Sequence, residues 1–159
     1  MIVVSDTSPI SNLLQIGEIE LLRRIFDKIV IPTQVFAEIC RIESHKEFLI
    51  KQDWIETAPL SNENLKKILL NDLDSGEAEA IALAVELKAD YLLIDEIKGR
   101  QIAESYGIKV TGIIGVLIKA KEAGLIAEVK PYLQKSVNDA GFWLNPKLIE
   151  KILEIVKEN

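Results

Sequence analysis

The sequence predicts an α/β fold, a three-layer α/β/α sandwich around a central parallel sheet of four to five strands. Three observations lead there. Residues 2–5 (IVVS), 28–31 (KIVI) and 91–94 (YLLI) are short apolar runs with little polar alternation, as expected of strands buried on both faces. Segments with helical periodicity separate these runs. Two of the runs lead into an acid, Asp6 and Asp95, as strands do when they deliver side chains to a functional sheet edge.

Taken in order, residues 2–5 form the first strand. Ser8-Pro9 reads as an N-cap followed by proline at the first helical position, opening a helix to about Ile16 that Gly17 stops. Residues 18–26 form a second helix and 28–31 a strand. Pro32 then starts the helix TQVFAEICRIE, and another helix covers 44–52. The stretch through Trp54 and Pro59 reads as irregular. Helices follow at 61–70 and 75–88, a strand at 91–94, a helix at 97–106 and a last strand at 108–110. Thr111 reads as the cap of a helix to about Ala123, and helices at 126–138 and 145–158 complete a single domain over residues 1–159.

Composition removes several classes of chemistry. His45 is the only histidine and Cys40 the only cysteine, so a zinc site of several His or Cys ligands is excluded, and a Ser-His-Asp triad or Cys-His dyad would have to rest on His45 alone. A lone cysteine also precludes an internal disulfide and fits a reducing, cytoplasmic setting. No apolar run approaches a membrane span, and no basic leader precedes the first strand. The net charge of −6 argues against coating nucleic acid through bulk positive charge. Catalysis, if present, falls mostly to carboxylates.

Four acids stand out. A turn or cap would explain Asp6 or Asp95 alone, but two such acids on neighbouring strands would emerge side by side. Glu38 sits at the margin of the stripe formed by Val35, Phe36, Ile39 and Ile42. At about 100° per residue, Glu77 projects between Ile81 and Ala84, whereas Glu79 and Glu86 share the polar face of that helix. Asp74 and Glu77 also fit a capping box, which explains the position of Glu77 but not its inward direction. Inward acids at one edge repel each other unless a counterion joins them, and Mg²⁺ or Mn²⁺ prefers such oxygen donors. A site of this kind activates water and neutralises charge on a phosphoryl oxygen, which points to phosphodiester hydrolysis.

With "SDTSPI", "LDSGEAEAIALA" and "LLIDEIKGR" in this order, the chain resembles the PIN-domain family of compact α/β nucleases, most of all a microbial subgroup of it. The resemblance spans nearly the whole chain. It implies that Asp6, Glu38, Glu77 and Asp95 are catalytic metal ligands for Mg²⁺ or Mn²⁺, with Thr7, Ser8 and Glu96 auxiliary. Glu77 departs from the Asp more usual at its place. The implied activity is cleavage of single-stranded RNA, often as the VapC-like toxin of a toxin–antitoxin pair, in a homodimer partnered by an antitoxin protein.

Lys98 and Arg100 read as a basic lip for an RNA backbone or as a solvated helix start, and Thr111 as a phosphate contact or a plain cap. Phe142-Trp143 reads as packing for the last helix or for a dimer contact rather than as a stacking surface. Two other classes compete with the nuclease. One is a PIN-like binding or regulatory module with little catalysis. The other is a phosphoacceptor or phosphatase-type α/β domain, disfavoured because Ser8 stands where a dehalogenase-type motif needs a second Asp.

Overall fold

The computed structural model describes residues 1–159. Strand β1 (Val3–Ser5) leads into α1 (Thr7–Gln15) and α2 (Glu20–Phe26). Strand β2 (Ile29–Pro32) is followed by α3 (Thr33–Ile39) and α4 (Glu43–Leu49), and β3 (Ile55–Ala58) by α5 (Asn64–Leu69) and α6 (Ser75–Leu87). Then come β4 (Tyr91–Leu93), α7 (Ile97–Ser105), β5 (Val110–Thr111) and α8 (Ile113–Glu122). Helices α9 (Lys130–Asp139) and α10 (Pro146–Ile155) end the chain. No helix is long and apolar enough to cross a membrane.

The five strands form one parallel sheet in the order β3-β2-β1-β4-β5, flanked by helices. Val3, Val4, Leu92 and Leu93 are buried, as β1 and β4 must be at the middle of a covered sheet. Helix α6 lies across β1, β2 and β4. A second apolar cluster, including Leu117, Val129, Leu133 and Ile152, fastens α9 and α10 to α8, and Leu21 of α2 joins it.

The strand order reverses between β1 and β4, which pair in register from Val3↔Tyr91 to Ser5↔Leu93. The chain runs from β1 out through β2 to β3 and then crosses back to β4 on the other side of β1, so a crevice opens beyond the carboxyl ends of β1 and β4. Asp6 is the next residue after β1 and Asp95 the second after β4. The reading of adjacent strand-end acids therefore holds in three dimensions.

Several local expectations are corrected. The segment 55–58, read as irregular, is the edge strand β3, paired with β2 from Ile29↔Ile55 to Pro32↔Ala58. Helix α1 starts two residues before Pro9, with Asp6 rather than Ser8 at the N-cap. Proline is tolerated there because first-turn N–H groups have no partner within the helix. Likewise Gly112, not Thr111, is the N-cap of α8. Thr111 stays in the sheet, its carbonyl accepting from the Ile94 N–H at 2.9 Å. Gly17 ends α1 as read, in the left-handed region at φ 73°.

The polar face expected of α6 is mostly covered. Glu79 is buried, taking the Gln34 N–H at 2.6 Å and the Lys66 ammonium at 2.9 Å. Glu86 accepts from the Ser61 and Asn62 backbone N–H groups.

Candidate active site

A cleft of about 850 Å³ opens at the switch point. Six carboxylates line it: Asp6, Glu38, Asp74, Glu77, Asp95 and Glu96. Four places in the backbone supply them. Asp6 ends β1, its N–H still donating to the Leu93 carbonyl at 2.9 Å while its φ/ψ is already that of a helix cap. Its side chain makes no capping bond, so the carboxylate is left to the cleft. Glu38 comes from the last turn of α3, Asp74 and Glu77 from the start of α6, and Asp95 and Glu96 from the connection of β4 to α7.

The first two hydroxyls of α1 each steady one flanking acid. Thr7 Oγ1 donates to Glu38 at 3.2 Å, and Ser8 Oγ donates to Asp95 at 3.1 Å. Asp95 also accepts the Ile113 N–H at 2.7 Å, which ties it to the start of α8. Asp74 and Glu77 form a reciprocal capping box, at 2.9 Å and 3.2 Å. Capping and inward direction are thus not alternatives for Glu77, which does both.

Glycines give these acids room. A Cβ on Gly76 would run into the Glu38 carboxylate, and one on Gly112 would lie 2.5 Å from Asp95 Oδ1. Neither glycine stands at a positive φ, so close approach rather than backbone freedom is what each supplies.

Burial and crowding raise the proton affinity of the cluster. Asp6 is pushed up to about 7, first by desolvation and then by Glu77, Asp74 and Glu38, with the Thr7 amide pulling the other way. Glu77 also rises to about 7, through desolvation and its hydrogen-bonded partner Asp74. Glu38 and Asp95 are raised by desolvation, moderated at Glu38 by the Thr7 hydroxyl and at Asp95 by Ile113, Ser8 and Arg100. The donor set is all oxygen and short of positive charge, which fits a hard divalent cation. As they stand, no three of the carboxylates approach closely enough to enclose an ion.

Of the remaining expected residues, Thr7, Ser8, Glu96 and Arg100 line the cleft. Lys98 points elsewhere, its ammonium 3.6 Å from Asp72 with both side chains well exposed. Thr111 is buried and borders a second cleft of about 640 Å³ that shares Arg100 and carries Lys109 and Lys119. Asp74, Gly76, Gly112 and Trp143 are site-lining or site-shaping residues that the sequence reading did not assign to the cleft. Asp74 was legible only as a cap. Trp143, read as packing for the last helix or a dimer contact, is instead exposed at the cleft, which the loop after α9 reaches only through tertiary packing.

An acid-lined crevice at the switch point of a parallel sheet defines a class of α/β proteins with a polar site at the strand ends. The chain belongs to the PIN-domain family: the family model for the PIN domain of the DUF3368 group matches residues 2–158. PIN domains have a nuclease-like fold, are commonly nucleases and generally use divalent metal ions. Among solved structures, the chain is similar to a PilT N-terminus domain protein, SSO1118, from the hyperthermophilic archaeon Sulfolobus solfataricus P2. The identity is 22% and the TM-score 0.58, over 76% of this chain and 93% of that one. A search of curated proteins finds no match.

Proposed function

We propose that this chain is a divalent-cation-dependent ribonuclease that hydrolyses phosphodiester bonds in single-stranded RNA. The observation that supports this best is the gathering of six carboxylates into one cleft, with Asp6 raised to about 7. Asp6, Glu38, Glu77 and Asp95 are the residues that would hold Mg²⁺ or Mn²⁺. Such an ion, when bound, supplies positive charge to phosphoryl oxygens and increases the acidity of water. Thr7 and Ser8 orient Glu38 and Asp95 through the hydrogen bonds described above. Asp6 and Glu77 release their protons as the site fills, so affinity rises with pH. Arg100, the one basic residue of the cleft, faces the substrate's phosphates and continues towards Lys109 and Lys119. On the same reading the chain is one PIN domain acting as a VapC-like toxin, with a second copy and an antitoxin protein as partners.

The direct test is Mn²⁺ titration together with cleavage of a mixed panel of single-stranded RNAs. Wild type is expected to bind and cleave. Asp95→Asn is expected to lose at least the roughly 100-fold in rate that loss of an outer-shell partner alone can cost. Failure of wild type to bind Mn²⁺ overturns the proposal, and binding without cleavage makes the chain a binding module instead.

Gly76→Ala separates fold from site. Alanine favours the helix by about 1 kcal/mol, so the variant is expected to fold normally. Its methyl displaces the Glu38 carboxylate, and Mn²⁺ affinity measured by calorimetry is expected to fall roughly 10- to 100-fold.

A further inference from the structure

Beside its acids the cleft is lined by apolar side chains, among them Ile97, Ile114, Phe142, Trp143, Leu144 and Leu148. The most prominent of these is Trp143, which is 77% exposed, and Ile97 and Leu148 add exposed surface at 70% and 42%. The backbone at Trp143 is anchored on both sides. Phe142 on one side packs into both apolar clusters and donates its N–H to the Ser136 carbonyl at 2.9 Å. Leu144 on the other side is buried, and Asn145 caps α10 through the Lys147 N–H. The chain direction set by these anchors keeps the indole out of the core and in the cleft.

Two occupants compete for this apolar lining, and charge separates them. A second copy seated here in a two-fold contact would bring its own six carboxylates towards this set, in a chain that already carries a net charge of −6. An unpaired nucleobase carries no charge and offers a flat π-face to the indole. The same acids repel the phosphates of an approaching strand, so an uncharged contact in the cleft gives the strand a hold that does not depend on cation occupancy. We propose that Trp143 is a stacking platform for an unpaired nucleobase of the bound strand, with Ile97 and Leu148 beside it. This rests on single-stranded RNA as the substrate. It makes Trp143 a positioning residue, tolerant of base identity because every base has a π-face.

The chain contains its own reporter. It has two tryptophans, and Trp54 is only 3% exposed, so a change in solvent-exposed emission comes from Trp143. The experiment is a fluorescence titration with a non-cleavable 2′-O-methyl RNA octamer in Mg²⁺, repeated with an abasic octamer of the same length. The 2′-O-methyl octamer is expected to quench the exposed component saturably, and the abasic strand is expected to leave it unchanged. Trp143→Ala is expected to bind the octamer roughly 10- to 100-fold more weakly, and Trp143→Phe to restore most of that loss. In cleavage assays the Ala variant is expected to raise KM with kcat nearly kept, and unchanged Trp54 emission checks its fold.

Binding or cleavage with unaltered Trp143 emission overturns the platform and leaves the nuclease reading standing. Equal quenching by the abasic strand also overturns it. A blue shift that grows with protein concentration in the absence of oligonucleotide shows a second copy on this apolar lining and overturns it too. Failure of the octamer to bind any form of the protein overturns the RNA reading and the platform together. Quenching without cleavage of ordinary RNA supports the platform and counts against catalysis alone.

Discussion

Asp6→Asn is expected to make the metal-free protein more stable at pH 8, by roughly 2–4 kcal/mol, and to leave stability at pH 4 almost unchanged. The sign follows from where the proton sits. In the unfolded chain Asp6 titrates near 3.8, whereas in the folded chain burial and its acidic neighbours hold it at about 7. Between those values the folded state keeps a proton that the unfolded state loses, so stability falls as pH rises. The contribution is complete below 3.8 and gone above about 7. Glu77, Glu38 and Asp95 are raised as well and act in the same direction. Asparagine has the same shape without the charge, so it removes the pH-dependent term of Asp6 while keeping the packing. Urea unfolding of both forms from pH 4 to pH 8 measures the difference. Adding Mg²⁺ at pH 8 is expected to stabilise wild type by about 2.7 kcal/mol at a hundredfold excess over Kd, and the Asn variant far less. A wild type as stable as the variant at pH 8 without metal would show that Asp6 is not held in a strained, charged site.

Glu79→Leu is expected to cost about 3 kcal/mol in stability and to disturb the site from a distance. Pro32 at the N-cap of α3 has no side-chain acceptor for that helix's first N–H groups. Glu79, from α6, supplies it by accepting the Gln34 N–H at 2.6 Å, where a carboxylate is also favoured by the helix dipole. The same carboxylate pairs with Lys66 of α5 at 2.9 Å, in an environment where both side chains are largely enclosed. Leucine leaves a part-buried N–H and a poorly solvated ammonium without partners. Because α3 carries Glu38 and α6 carries Glu77, losing their link loosens the spacing of two cleft acids. Glu79→Gln, which keeps an acceptor for Gln34 but no charge for Lys66, is expected to cost roughly half as much. Chemical denaturation separates the two variants, and equal stability of wild type and Glu79→Leu would refute the role.

The local sequence rules succeeded where one residue's neighbours along the chain decide its place. The central strands were legible because Val3, Val4, Leu92 and Leu93 are buried on both faces and so read as uninterrupted apolar runs. Strand β3 was not, because only Ile55 of its four residues is buried and Glu56 and Thr57 are exposed. Its strand character comes from hydrogen bonds to β2, which no periodicity records. The helix start near Thr111 shifted for the same reason: a sheet hydrogen bond to the Thr111 carbonyl holds the backbone extended up to the cap at Gly112.

Glu79 shows the limit of helix geometry. The 100° rotation correctly set it apart from Glu77. It could not show that the face opposite would be covered by α3 and α5, turning a surface acid into a buried link.

The sequence by itself determined the parallel α/β plan and the order of the acids, because both follow from which residues must be buried and where strands end. Only the tertiary structure decided which acids meet. It paired β1 with β4, brought Asp74 in through a cap and held Gly76 and Gly112 against two carboxylates. It also carried Trp143 into the cleft on the loop after α9. Those placements depend on contacts between segments far apart in the chain, and their energies are set by packing and desolvation that exist only once the chain is folded.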